Sequence, residues 1–315
     1  MTAIIARTLG IDISKDRLDV HLLPEGTERR YANDANGLRE LIRWLAQLTP
    51  TRIVYEATGA YHRLLERTLG AKGLPLVKMN PQHTRAFAKA AGQLSKTDRI
   101  DAAMLARFGA LMTPQIRPIR NETLDTLCEL VATRRALIKD RTATLNRQKS
   151  LTIPLLKRQA EQRLKQIAAQ IAAIDAECRI RIASEADLSR RFDILISIPG
   201  LGEATAFALV ADMPELGTLA NKQAASLAGL APVDRQSGQW KGKSFIQGGR
   251  QTLRQALYMP ALVATRFNEP LKVKYESLRA GGKPPKVAIT AIMRKLIVLA
   301  NTLISDDRKW APSSP

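Results

Sequence analysis

Cysteine is nearly absent from this chain: Cys128 and Cys178 are the only two in 315 residues. Two cysteines cannot build a disulfide framework, and without a CxxC pair there is no zinc finger. Histidine is scarce too, and His21, His62 and His83 all lie in the first third. No serine of the last third therefore has a histidine near it in sequence to act as its base. No apolar run approaches the roughly 18 residues of a membrane span. The opening MTAIIARTLGIDIS lacks the apolar stretch and cleavage site of a secretory signal. A cytoplasmic chain that avoids membranes is expected. No GxGxxG follows the first strand and no GxxxxGK[ST] occurs, which argues against a dinucleotide fold and a Walker loop. Acid is in deficit as well. Asp plus Glu number 29 against 49 Lys plus Arg, a net charge of +20, with an isoelectric point near 10.4.

That imbalance calls for a polyanion, because each phosphate neutralised by a cation releases counterions. The excess is spread evenly, at +6, +7 and +7 over residues 1–114, 115–192 and 193–315, so no basic tail accounts for it. Hydrophobic residues make up 45% and charged residues 25%, an ordinary globular composition with length enough for two domains.

Residues 1–114 read as α/β. An apolar strand at 4–13 is followed by turns at Ser14–Arg17 and Pro24–Gly26 that give a three-strand meander. Asn33 or Asp34 can cap a helix at about 36–48. Strands at 52–57 and 74–79 then alternate with helices near 60–70 and after Asn80-Pro81. The order β-β-β-α-β-α-β-α is ribonuclease H-like. Residues 115–191 are helical, with Leu124, Val131, Ile138 and Leu145 at heptad spacing, and Leu164, Ile167, Ile171, Ile174, Cys178 and Ile182 beyond Pro154. Two long helices can form a hairpin, an intermolecular coiled coil or a plain connector. Residues 192–305 are mostly α, with helices predicted near 203–211, 219–228, 250–266, 270–279 and 285–304. The tail, 306–315, is expected to be loose from Trp310 onward.

Three constellations carry chemistry. Asp12 sits in the apolar strand Gly10-Ile11-Asp12-Ile13, where an acid is costly unless paired or bound to a cation. Glu56 ends the strand Ile53–Glu56, beside it in a ribonuclease H-like sheet. Asp98 and Asp101 share a helix face at i and i+3. Four acids at one sheet edge repel unless divalent cations neutralise them, and oxygen ligands suit magnesium or manganese. A pair of such ions performs phosphodiester chemistry. The second constellation, Ile198-Pro199-Gly200-Leu201-Gly202, resembles a helix-hairpin-helix turn. Amides around Gly200 and Gly202 would meet a phosphate backbone there, or the turn would join two helices with no ligand. In the third, Arg235, Lys241, Lys243, Arg250 and Arg254 surround Ser237 and Ser244 in a glycine-rich loop. From pattern alone a phosphate-binding loop with ordinary serines is the stronger reading.

Together these motifs resemble the DEDD transposases of bacterial insertion sequences. Gly10-Ile11-Asp12, Tyr55–Tyr61, Asn80-Pro81 and Lys96–Ala102 resemble the family's N-terminal domain. Ile198–Gly202, Ala228–Pro232, Ser237-Gly238 and Arg254–Ala261 resemble its C-terminal domain. The resemblance implies a RuvC-like nuclease domain with Asp12, Glu56, Asp98 and Asp101 as metal ligands, and Ser237 as a catalytic serine, with Ser244 the weaker match. It implies a recombinase of donor and target DNA guided by a structured bridge RNA. It further implies dimers assembling into tetramers, with the middle helices as a dimerisation element and the serine forming a phosphoserine link to DNA. The competing enzyme is a metal-dependent Holliday-junction resolvase-like nuclease with no covalent intermediate. An architectural binder is disfavoured, because it gains nothing from clustered acids beside a phosphate backbone.

Overall fold

The computed structural model describes residues 6–57, 59, 61–92, 98–116, 121–234, 236–237, 240–242 and 244–312. The chain divides into two compact units, Met1–Ile119 and Arg120–Pro315.

The first unit is a mixed sheet with helices on both faces. Its elements are β1 (Thr8–Ile13), β2 (Arg17–Leu23), β3 (Thr27–Ala32), α1 (Ala35–Leu45), β4 (Arg52–Glu56), α2 (His62–Gly70), β5 (Leu76–Met79), α3 (Pro81–Ala90) and α4 (Asp98–Met112). The sheet order is β3-β2-β1-β4-β5. The meander pairs antiparallel, while β1, β4 and β5 run parallel. This arrangement is compatible with a ribonuclease H-like domain, as the sequence predicts. Asp34, not Asn33, caps α1, accepting from the amides of Asn36 at 2.9 Å and Gly37 at 2.8 Å. Asn33 instead donates to the carbonyls of Ser14 and Tyr61.

Alternation along the strands separates two cores. Leu9, Ile11, Leu18, Val20, Ile53 and Tyr55 face α1 and α2 and pack with Leu38, Leu41, Leu65 and Leu69. The other face is smaller and more polar, with Val54, Val77 and Met79 against Leu105 and Phe108 of α4. Glycine lets α4 lie directly on β1. A Cβ on Gly10 would sit well inside contact of the Ala102 carbonyl oxygen and the Ala106 nitrogen, and one on Gly109 would be 2.7 Å from Thr8 Cγ2 and 2.5 Å from Val54 Cγ2. Gly10→Ala should therefore destabilise the first unit by about 2–4 kcal/mol, the range of overpacked core sites, since backbone on both sides must move. A urea titration of the variant checks this, and an unchanged midpoint would contradict the close approach.

The second unit is helical. It contains α5 (Glu122–Gln148), α6 (Pro154–Ala183), α7 (Ala186–Ser197), α8 (Glu203–Asp212), α9 (Asn221–Leu227), α10 (Gln251–Phe267), α11 (Glu269–Ala280) and α12 (Pro285–Ser305), with short strands β6 (Pro232–Val233), β7 (Gln236–Ser237), β8 (Trp240–Lys241) and β9 (Phe245–Ile246). Asn121 caps α5 and Pro154 starts α6. The two helices pack together, tied by Arg134 to Asp175 at 2.6 Å. At one end of the pair, Leu127, Val131, Cys178 and Ile182 are buried in one core with Phe207, Leu253, Leu257 and Ile292. Farther along, Ile138, Leu145, Ile153 and Leu155 are exposed. The heptad stripe of α5 thus begins as core and ends at the surface, while Leu164, Ile167, Ile171 and Ile174 of α6 stay buried or half-buried.

Two expectations are corrected. The tail is not loose at Trp310. Its amide donates to Ser197 Oγ at 2.9 Å, and Lys309 and Asp307 pair with Asp193 and Arg190 of α7. An apolar run of spanning length also exists. Among the described residues α12 is long and apolar enough to cross a membrane by composition. Its Ile289, Ile292, Leu296 and Ala300 are buried among the other helices, the pattern of a core helix.

Candidate active site

Register and close approach bring the predicted acids together. Asp12 lies on the α4 face of β1, two residues beyond Gly10. Because Gly109 sits over Thr8 and Ala102–Ala106 over Gly10, α4 runs back along β1 and its first turn reaches Asp12. That turn carries Asp98 and Asp101, where a helix N-terminus favours negative charge. Ile11 is registered with Tyr55 across β1 and β4, so Glu56 falls beside Asp12. Asp12 feels all of them. Its carboxyl is pushed up to about 6, first by burial, then by the charges of Asp101, Asp98, Asp19 and Glu56.

Asp19, absent from the sequence reading, is the fifth acid of this cluster. It stands directly opposite Asp12 on β2 and opposite Arg30 on β3. Arg30 Nε donates to its Oδ1 at 2.8 Å, and Asp19 is buried. The symmetric turn at Ser14–Arg17 was the available signal, since it pairs residue 12 with residue 19. Two further contacts shape the cluster. Arg17 lies 3.6 Å from Asp98, and Thr84 Oγ1 donates to Glu56 Oε2 at 2.8 Å. Lys96 and Thr97 of the acidic motif lie outside the described residues.

The donor chemistry suits a hard divalent cation. All of the groups offer carboxylate oxygens, and their mutual repulsion at Asp12 is what such a cation relieves. The cage is open, however. Among the described residues no three His, Cys, Asp or Glu side chains stand close enough to grip an ion.

The glycine-rich segment of the second unit folds as nested hairpins. Pro232 and Val233 pair with Ile246 and Phe245, and inside them Gln236 and Ser237 pair with Lys241 and Trp240. Ser237 thus lies at the head of the inner hairpin. Arg235 and Lys243 lie outside the described residues, as do the side chains of Ser237 and Lys241. Ser244 Oγ donates to Asp234. The two other predicted phosphate-binding arginines are engaged at the hairpin's base. Arg250 makes a bidentate pair with Glu215 at 2.7 and 2.8 Å and donates to the Asp212 carbonyl. Arg254 donates to the carbonyls of Gly229 and Gly248.

The Gly200 and Gly202 turn is asymmetric. Gly200 has φ +104°, and a Cβ there would be 2.9 Å from Ala264 Cβ, so it packs against α10. Gly202 has open space around it at the start of α8. The neighbouring Glu203 pairs with Arg179 at 2.6 Å, which holds its carboxyl below the usual range.

Comparison with known proteins identifies the family. Residues 9–152 match the DEDD transposase domain of IS110, and residues 192–276 match a domain described as transposase IS116/IS110/IS902 family. A Moraxella bovis protein named pilin gene-inverting protein is 31% identical over 96% of this chain and 97% of its own. A Moraxella lacunata protein of the same name is equally similar. An uncharacterized 42 kDa protein of insertion element IS900 from Mycobacterium paratuberculosis is 30% identical over 47% of this chain and 39% of its own. With both domain matches in order and relatives aligned end to end, the chain belongs to the IS110/IS116/IS902 family of transposases.

Proposed function

We propose that this transposase recombines donor and target DNA using two centres, a metal-dependent carboxylate site in the first unit and a serine nucleophile in the second. The observation that carries the reading is the convergence of Asp98, Asp101 and Glu56 on Asp12, whose carboxyl is raised to about 6 first by burial and then by these charges. Asp12, Glu56, Asp98 and Asp101 would hold magnesium or manganese. The chemistry such an ion would supply there is to offset the negative charge of the scissile phosphate and so favour attack on it.

Ser237 is our nucleophile. Its oxygen would form a bond to phosphorus as the bond to one deoxyribose oxygen breaks, and the proton lost by serine would end on that leaving oxygen. The reverse step, with a different strand's hydroxyl, rejoins DNA without an external energy source. The functional division we propose is a RuvC-like domain at 1–114, a dimerisation segment at 115–191 and a serine-bearing domain at 192–305. The exposed end of the α5 stripe, at Ile138 and Leu145, supports the dimerisation role, and dimers would assemble into tetramers. A bridge RNA would supply sequence recognition, leaving the protein to read backbone and shape. The even spread of positive charge supports a protein that contacts several nucleic-acid segments. These steps would take place in the cytoplasm.

The test is a denaturing gel with end-labelled donor and target DNA, magnesium, and RNA transcribed from the element's flanks. The expected product is a protease-sensitive protein–DNA adduct that needs both magnesium and RNA. Magnesium-dependent nicks without an adduct would replace this reading with the resolvase-like nuclease.

A further inference from the structure

We propose that Thr84 is a positioning residue for Glu56, fixing one carboxylate oxygen so that the other is presented to a divalent cation. This rests on the metal-site reading above. The residues come together for local reasons. β5 is registered with β4 so that Met79 lies beside Glu56. Asn80 then caps α3 by accepting from the Gln82 amide at 2.9 Å, and Pro81 occupies the first turn. Helix α3 therefore starts at the sheet edge where β4 ends, and Thr84, one turn in, meets Glu56.

The Thr84 hydroxyl lies 2.8 Å from Glu56 Oε2 and 3.1 Å from the Pro81 carbonyl. It has a single proton, and the nearer, charged acceptor takes it. Among the described residues Glu56 Oε1 has no hydrogen-bond partner.

The identity of the donor matters. Asp19 is held by Arg30 and Asp98 lies beside Arg17, both cations that cancel carboxylate charge. Glu56 is held by a neutral hydroxyl, which orients it and leaves its full negative charge for an ion. Second-layer donors of this kind set the direction of a ligand and its affinity. Packing does not account for the residue: the core contact of α3 is made by Phe87, edge-on to Phe108, while Thr84 is only half-buried.

The test uses the full-length protein and manganese alone, with free ion followed by electron paramagnetic resonance. Thr84→Val keeps the shape and removes the donor, and should weaken manganese binding about tenfold. Thr84→Ser should return it to within about twofold of wild type, as hydroxyl positioning requires. Glu56→Gln should lose at least as much as Thr84→Val. Wild-type affinity in Thr84→Val with weak binding in Glu56→Gln would overturn the proposal alone. Wild-type affinity in both would overturn the metal-site reading itself. Metal-free melting is measured in parallel, and a collapsed fold in Thr84→Val would assign Thr84 to structure instead.

Discussion

Asp12→Asn should abolish strand cleavage and yet make the metal-free protein more stable. Cleavage should fall by at least roughly a thousandfold, because the substitution removes a charged ligand from a site that works by charge stabilisation. Affinity for nucleic acid should stay within about twofold at fixed salt, since an acid adds nothing to phosphate binding. The stability gain follows from the sign of the pKa change. Burial and the neighbouring acids raise Asp12 from 3.8 to about 6. The folded state therefore disfavours the carboxylate that the unfolded chain accepts. Asp12 imposes no penalty below pH 3.8, a growing one between 3.8 and 6, and its full penalty above 6.

A change of that size is roughly 3 kcal/mol without screening. Asp12 is only half-buried, so solvent reduces it to about 1 kcal/mol. That is a rise of about 2–4 °C in melting temperature at pH 7.5, shrinking toward zero as the pH approaches 4. Magnesium should stabilise the wild type and leave the variant unmoved, closing the gap. A variant no more stable than wild type at pH 7.5, or one that still cleaves, would contradict the charged cluster as the working site.

What the sequence disclosed and what it withheld divide along a physical line. The meander and the helices of the last third follow from local alternation, turns and spacing, and all are present as elements. Asp19 was hidden because its place in the cluster depends on strand register, not on spacing along the chain. Gly10 was legible as part of a motif, but its reason, the backbone of α4 lying on β1, involves residues almost a hundred positions away. Arg250 and Arg254 illustrate the converse. Within a basic loop they read as phosphate ligands, while the fold gives them an acid and three carbonyls to satisfy. Thr84 carries no sequence signal beyond its place one turn after Asn80-Pro81. The strap at Lys309 and Trp310 depends on α7, an element the sequence reading did not separate from its neighbours.

Ser237→Ala should eliminate the covalent protein–DNA adduct, and Ser244→Ala should keep it within about threefold of wild type, an effect of the size expected at exposed sites outside the chemistry. Ser244 is exposed and spends its hydroxyl proton on Asp234. Losing that bond leaves Asp234, also exposed, to water, so the stability change should stay within about 0.5 kcal/mol. A hydrogen-bonded Asp could serve as a base for Ser244, which is why the swap of outcomes is informative. Ser237 sits in the inner hairpin, paired with Trp240, and is raised by the outer pair Pro232–Ile246 and Val233–Phe245.

Arg250 and Arg254 anchor the base of this structure through carbonyls and Glu215. Removing a nucleophile also leaves binding intact, so Ser237→Ala should still bind RNA and DNA as the wild type does. Nicking that survives in Ser237→Ala while the adduct is lost would separate the two centres, assigning hydrolysis to the carboxylates and strand joining to the serine. An adduct lost only in Ser244→Ala would move the nucleophile to Ser244, with Asp234 as the group that takes its proton.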